Sequence, residues 1–513
     1  MKKIVLLFLA AVMLISVFAC TKKEDNKPTT TDPEITTPGT ANPGTTTPGT
    51  TNPGTTTPPE ITVNNPDKPD LEHKTFGGKK LRISSAPWAV SMEVFADETA
   101  VNIREQALWE RNSKIEELYD VKISPVTTGD GSLRGQVNTI ADWIMSGDDF
   151  YDLALSYAHT TGPLLLAGYL QNWNNFEYTD FSKFYWMNDI NDAFTINNAI
   201  YTPVGEMCIS VLTNTYAMFY NRTKGDQLLA KDGETTITEE VIQKIEDMEW
   251  TIDYFMDLVG NIYSDIDYET GPSAGDFYGF GAACLTELDI WQFAFDIPML
   301  EKDEKKYLKC VINTEKTNEM VDKLISLYWE SNGTYANNDV VDGMFVEGRA
   351  LFRASYFANC MSMYTNMEDN YLVLPYPLWD DDQEKYMTGA MDNYNVLSVP
   401  ISTPNIDMVS YLVEIINYES RETLFPVYYE ESLQKQYSRD PITIEMLEII
   451  MDGRNFDLGT LFHIETGGLP LAIRHCVGYD KRSFADYYAE KGETIEHGVK
   501  SVVNKYKLYQ SKQ

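Results

Sequence analysis

The chain has 513 residues, 43% of them apolar, enough to bury a large core and, by length, to build two or three domains. Its 77 acidic residues outnumber its 41 Lys and Arg, giving a formal net charge of -36. That balance argues against nucleic acid and anionic lipid headgroups as partners, because their phosphates need a basic patch.

In chain order, Lys2 and Lys3 precede an apolar stretch from Ile4 to Ala19, and small Ala19 stands just before Cys20. The pattern predicts a signal peptide over 1–19. Val17-Phe18-Ala19-Cys20 resembles a bacterial lipobox, in which the cysteine is lipidated and becomes the mature N-terminus. No later stretch approaches the ~18 uninterrupted apolar residues of a second span. Residues 36–45 repeat at 46–55 with only Ala41 replaced, by Thr51. Such Thr, Pro and Gly sequence supports neither helix nor strand, so 20–75 reads as a tether, about 40 Å long on average. The other five cysteines, Cys208, Cys284, Cys310, Cys360 and Cys476, show no CxxC spacing and read mostly as buried free thiols.

Lys79 to Trp88 reads as a short strand that stops in a loop carrying Pro87 and Trp88. From Asn102 to Tyr119, Ile103, Ala107, Leu108, Ile115 and Leu118 recur at helical spacing. Val121 to Ser124 is a second strand, Leu133 to Met145 a helix stopped by Gly147, and Tyr151 to Ser156 a third strand. This alternation is the signature of a parallel sheet with crossover helices. Later, Tyr216 to Asn221 forms an aromatic strand, and Thr251 is placed to cap a helix. Asn318 to Tyr328 and Met408 to Tyr418 are amphipathic. Two α/β units joined by several crossings predict two lobes with a cleft between them. Ligands in open α/β sheets bind beyond the carboxyl ends of strands, where the loops 86–90 and 156–161 fall.

Several segments carry a family resemblance. They are Gly147-Asp-Asp-Phe-Tyr-Asp-Leu-Ala-Leu-Ser-Tyr-Ala-His159, Leu164 to Trp173, Met218-Phe-Tyr-Asn221, Trp250-Thr-Ile-Asp-Tyr-Phe255, Met344 to Phe352 and Leu374-Pro-Tyr-Pro377. In this order, within Leu81 to Phe462, they resemble the extracellular solute-binding proteins of the maltose-binding type, the family 1 lipoproteins of ABC importers. The resemblance implies an α/β, two-lobed periplasmic-binding-protein-like (type II) fold with a hinge and an interlobe cleft. Segment order in the family implies one lobe at 79–205 plus 376–405 and the other at 206–375 plus 406–513. It further implies a substrate-binding lipoprotein, monomeric and non-enzymatic, with no cofactor. Lipid-anchored at the extracellular face of the cell membrane, it would capture a carbohydrate, an oligosaccharide in particular, and deliver it to permease subunits.

The resemblance places Tyr157 and His159 in the ligand loop of the first lobe and Tyr356 in that of the second. Where maltose binders continue the first loop with an Asp-Arg pair that grips sugar hydroxyls, this chain has Thr160 and Thr161. A sugar presents apolar C–H faces and a rim of hydroxyls, so its receptor combines flat aromatics with carboxylates and amides. Trp88, Tyr157, Tyr356 and Tyr394 are the aromatic candidates; His159, Glu206 and Asn359 are the polar ones. Trp291, on a helix, reads as core. The loop Asp265, Asp267, Glu269, Gly271, Asp276 departs from a calcium loop, since its glycine falls one place late and no glutamate closes it; it reads as a solvated acidic turn. His73, His159, His463, His475 and His497 form no HExxH motif, which disfavours a zinc hydrolase. Two other classes compete: a secreted, lipid-anchored glycoside hydrolase, which needs two carboxylates across the scissile bond, and a surface sensor or adhesion module on the same fold. No hydrolase motif is present.

Overall fold

The computed structural model describes residues 68–129, 132, 134–429 and 441–510, and the side chain of Cys360 falls outside this description. The expected signal segment, Cys20 and most of the tether also lie outside the described residues. The last tether residues are packed: the Glu72 carbonyl accepts from the Tyr411 hydroxyl at 3.0 Å, and the His73 ring sits 5.5 Å from that of Tyr119. The folded part therefore begins a few residues before the expected Phe76.

Strands β1 (Lys79–Ser85), β2 (Val121–Thr127) and β3 (Leu153–Tyr157) pair in parallel about β1, with α1 (Ile103–Tyr119) and α2 (Gly135–Ser146) in the crossovers, as the alternation predicts. β3 is buried along its whole length, as a strand covered on both faces must be. The Asn102 side chain caps α1 by accepting from the Glu105 amide at 2.9 Å, and Gly147 closes α2 at φ 74°. One detail differs. Ile103 and Leu118 are half exposed, and Arg111 and Asn112 lie on the buried face of α1 beside Leu108 and Ile115. Arg111 is tolerated there because it donates to the Glu93 carbonyl at 3.0 Å and the Ser420 hydroxyl at 2.9 Å.

A second sheet runs β11 (Tyr371–Leu374), β4 (Tyr216–Asn221), β10 (Ala350–Tyr356), β6 (Phe277–Ala282), β5 (Tyr263–Ser264), with β9 (Thr334–Ala336) also paired to β6. Here β4 is antiparallel to both neighbours, so the sheet is mixed. α3 (Ala158–Leu166) follows β3 directly, and α4 (Ile252–Gly260) is capped by Thr251, which accepts from the Tyr254 amide at 3.3 Å. Trp291, on α5 (Thr286–Ala294), is fully buried and donates at 3.0 Å to the hydroxyl of Tyr328, just past the end of α6 (Glu315–Ile325), confirming it as core.

The chain passes between the sheets along 205–215, returns along 375–394, and adds β12 (Asn395–Ser398) antiparallel to β3. The long α7 (Ile406–Pro426) packs along α1, and its Glu414 accepts from Tyr185 at 2.5 Å and Trp186 at 3.0 Å. It therefore sits with the first sheet, whereas segment order assigned all of 406–513 to the second lobe. The apolar face of α7 finds its complement on α1, and local packing overrides segment order. α8 (Pro441–Asp452) does lie on β11 of the second sheet. α9 (Phe484–Gln510) packs on β8 (Leu308–Cys310), which pairs with β7 (Leu300–Lys302) in a separate two-stranded sheet, while Tyr506 donates to the Ala199 carbonyl at 3.1 Å. Cys208, Cys284 and Cys476 are buried free thiols and Cys310 is half-buried. Among the described residues no helix is long and apolar enough to cross a membrane.

Candidate functional site

The carboxyl end of the first sheet carries a wall of rings. After β1 the chain turns through Pro87–Ala89 and leaves Trp88 at 38% exposure. The Trp88 indole stacks on the Tyr157 ring, with centroids 5.7 Å apart and planes 20° from parallel, and its N–H donates to the Tyr157 hydroxyl. Tyr157 is the last residue of β3 and is nearly covered; burial raises its pKa. The His159 ring, in the first turn of α3, lies 5.8 Å from the Tyr157 ring. Thr160 and Thr161 are both buried, and their hydroxyls donate back to the Tyr157 carbonyl at 3.3 and 2.6 Å.

The returning segment supplies the floor. The Nδ1 of His159 lies 2.8 Å from the Asp392 carbonyl oxygen and 3.9 Å from its carboxylate. Behind it the His463 ring meets His159 edge-on at 6.1 Å. Asp289, from α5, forms an ion pair with Arg474, and Asp392 acts on both. Burial pushes the Asp289 carboxyl up to about 7, against the pull of Arg474. Burial lowers Arg474, but Asp289 beside it more than offsets this and leaves it raised. Burial, with His159 adding to it, lowers His463. Three atoms of this group are buried with no hydrogen-bond partner: Asp289 Oδ1, Arg474 Nε and His463 Nδ1.

The second sheet contributes Tyr356, the last residue of β10, whose ring lies 5.6 Å from that of Tyr216 opposite it. Tyr216 is tied to the returning segment, its amide donating to the Gly389 carbonyl at 3.0 Å. Asn359 donates to the Ser355 hydroxyl at 2.9 Å and approaches Asp342 at 3.4 Å. Asp342 in turn accepts from Arg353 at 2.9 Å and Tyr364 at 2.7 Å.

The structure thus brings Trp88, Tyr157 and His159 together, and sets Tyr356 at the end of β10 with Asn359 in the turn that follows. Two expected residues stand apart. The Tyr394 ring is 1% exposed and packs edge-on against Phe456 at 5.6 Å, so it is core; only its carbonyl serves the site, accepting from the Ala158 amide at 2.9 Å. Glu206 faces Arg421 at 3.3 Å, with Arg454 acting on it, and burial raises its pKa. Among the described residues, no hydrogen bond or ion pair links that group to the ring wall. Asp289, Asp392, His463 and Arg474 escape a reading of the sequence, being distant in sequence and without local pattern. The acidic loop gathers ligand oxygens of Asp265, Asp267 and Asp276 within 4.8 Å of one another, but each carboxylate already accepts from the loop's own amides, as Asp276 does from Ser273 at 3.0 Å. A groove of about 970 Å³ lined by Trp379, Lys316 and Asp380 holds none of these candidates.

No family model matches the chain, and no curated protein matches its sequence. Solved structures do match in fold. One is the galacto-N-biose/lacto-N-biose I-binding protein of the ABC transporter from Bifidobacterium longum, in complex with lacto-N-biose: TM-score 0.55 and 11% identity, over 84% of this chain and 99% of that one. Another is UgpB from Mycobacterium tuberculosis in complex with glycerophosphocholine, with TM-score 0.53, 12% identity and coverage of 82% and 98%. A third is the maltose/maltodextrin-binding domain MalE from Bdellovibrio bacteriovorus bound to maltotriose, with TM-score 0.52, 12% identity and coverage of 83% and 100%. The chain therefore has the two-lobed α/β architecture of ABC-transporter solute-binding proteins, the fold its sequence segments resemble.

Proposed function

We propose that this protein captures a carbohydrate, an oligosaccharide in particular, between its two sheets and passes it to the permease of an ABC importer, leaving the solute chemically unchanged. The observation that carries the reading is the ring wall of Trp88 over Tyr157, set at the carboxyl end of the first sheet and beside the returning segment. An aromatic face there stacks on the C–H face of a sugar ring, while carboxylate, guanidinium and imidazole groups take its hydroxyls. The similarity in fold to solute-binding proteins supports the transport role. The reading includes lipidation at Cys20 and the tether over 20–75, which would hold a monomeric binding domain at the extracellular face of the cell membrane.

The test is a thermal-shift screen against mono- and oligosaccharides followed by calorimetry, with product analysis of the same mixtures. A rise in melting temperature without altered sugar is expected. Released product makes the protein a hydrolase, and no response to any sugar ends the carbohydrate assignment.

A further inference from the structure

A second group of side chains lies behind the ring wall, reached from His159 through Asp392 and His463. Asp289 Oδ1, Arg474 Nε and His463 Nδ1 are all buried and all without a partner, although Asp289 and Arg474 already form an ion pair through their other atoms. A buried polar atom left unpaired is costly, so this cluster is built for a group that enters and completes it. The three atoms ask for different things. The carboxylate oxygen needs a donor, the guanidinium N–H needs an acceptor, and the imidazole nitrogen takes either according to tautomer. A hydroxyl is both donor and acceptor, and neighbouring hydroxyls on one ring serve carboxylate and guanidinium together.

An anionic guest fails. An anion would lie beside Asp289 and Asp392, with the one buried guanidinium already neutralised; exposed Arg134 acts on His463 from outside. Like charges in a site of low dielectric are strongly disfavoured. Resting on the capture of a carbohydrate proposed above, we infer that Asp289, Arg474 and His463 form a hydroxyl-binding subsite, and that it selects neutral glycans over uronates.

The experiment uses the full chain in calorimetric titrations with gluco-, galacto- and manno-oligosaccharides and with oligouronates of the same hexoses. The neutral member of a matched pair should bind on the order of a hundredfold tighter. Asp289→Asn removes one carboxylate while keeping the side-chain shape, and should narrow that ratio at least ~tenfold, chiefly by weakening the neutral sugar and admitting the uronate. Asp392→Asn should narrow it in the same direction and serves where Asp289→Asn fails to fold by circular dichroism. Uronates binding as tightly as neutral sugars, or a ratio unmoved in both variants, overturns the subsite while sugar capture stands. If neither member of any pair binds, the capture of a carbohydrate itself fails, and the subsite with it.

Discussion

The buried carboxylate of Glu93 accepts from the side-chain amide of Asn395 at 2.5 Å and from the Ser210 backbone amide at 2.6 Å, so one side chain fastens the outgoing segment, and β12 where the returning one ends, to the turn after β1. The link is reinforced by the Asn395 amide, which donates to the Ser210 hydroxyl at 2.9 Å. Glu93→Ala leaves these donors buried and unpaired and should cost about 3 kcal/mol, whereas Glu93→Gln should cost under ~1.5 kcal/mol. Chemical denaturation of the two variants checks the difference; equal costs would show that Glu93 fastens nothing.

Burial also sets a pH dependence. Glu93, Glu287 and Asp289 are pushed up to about 7 and Asp457 to about 6, with burial the largest cause in each. Each holds its proton more tightly in the folded chain than in the unfolded one. Folding therefore takes up protons between the ordinary carboxylate range and pH 7, and stability falls as pH rises through that window. The melting temperature should be higher at pH 5 than at pH 8, and Glu93→Gln should flatten the slope. A slope that the variant leaves unchanged would remove Glu93 from this account.

Trp88 separates binding from folding. At 38% exposure its ring supports little of the core, so Trp88→Ala should leave the melting temperature within a few degrees of the parent. Affinity for the identified sugar should fall at least tenfold, about 1.4 kcal/mol. Tyr157→Phe keeps the stack and loses only the hydroxyl, so it should cost less. Calorimetry on both variants decides whether the wall is the platform; an unchanged affinity in Trp88→Ala means the sugar sits elsewhere.

Gly333 lies so close to Val259 that a Cβ there would fall 1.7 Å from the Val259 carbonyl oxygen, and Gly279 has the same neighbour at 2.6 Å. A backbone carbonyl cannot step aside as a side-chain tip can. Gly333→Ala should therefore destabilise by about 1–3 kcal/mol or more. Gly343, with nothing within 4 Å of its Cβ position, is the control, and Gly343→Ala in thermal unfolding should be near neutral or stabilising.

Closure of two lobes on a guest is a large rigid-body motion. Small-angle scattering with a verified tight ligand should show a smaller radius of gyration than without it. Superimposable curves would mean that the ligand enters a fixed site and that the passing segments do not bend.

The sequence by itself determined the local grammar. Asn102 and Thr251 cap helices because their side chains satisfy free amides, Gly147 ends a helix because it alone enters the left-handed region without strain, and the alternation from Lys79 to Tyr157 dictates a parallel sheet. Ordered motifs along the chain were sufficient to anticipate the two-lobed fold and the pairing of Tyr157 with His159. Only the tertiary structure decided the rest. It buried Arg111 where Ile103 was expected, moved α7 onto α1, withdrew Tyr394 into the core, and brought Asp289, Asp392, His463 and Arg474 to one place. Spacing along a chain fixes which residues share the face of one helix or strand. Residues hundreds of positions apart meet only through the packing of whole elements, and that packing selects the side chains that line the cleft.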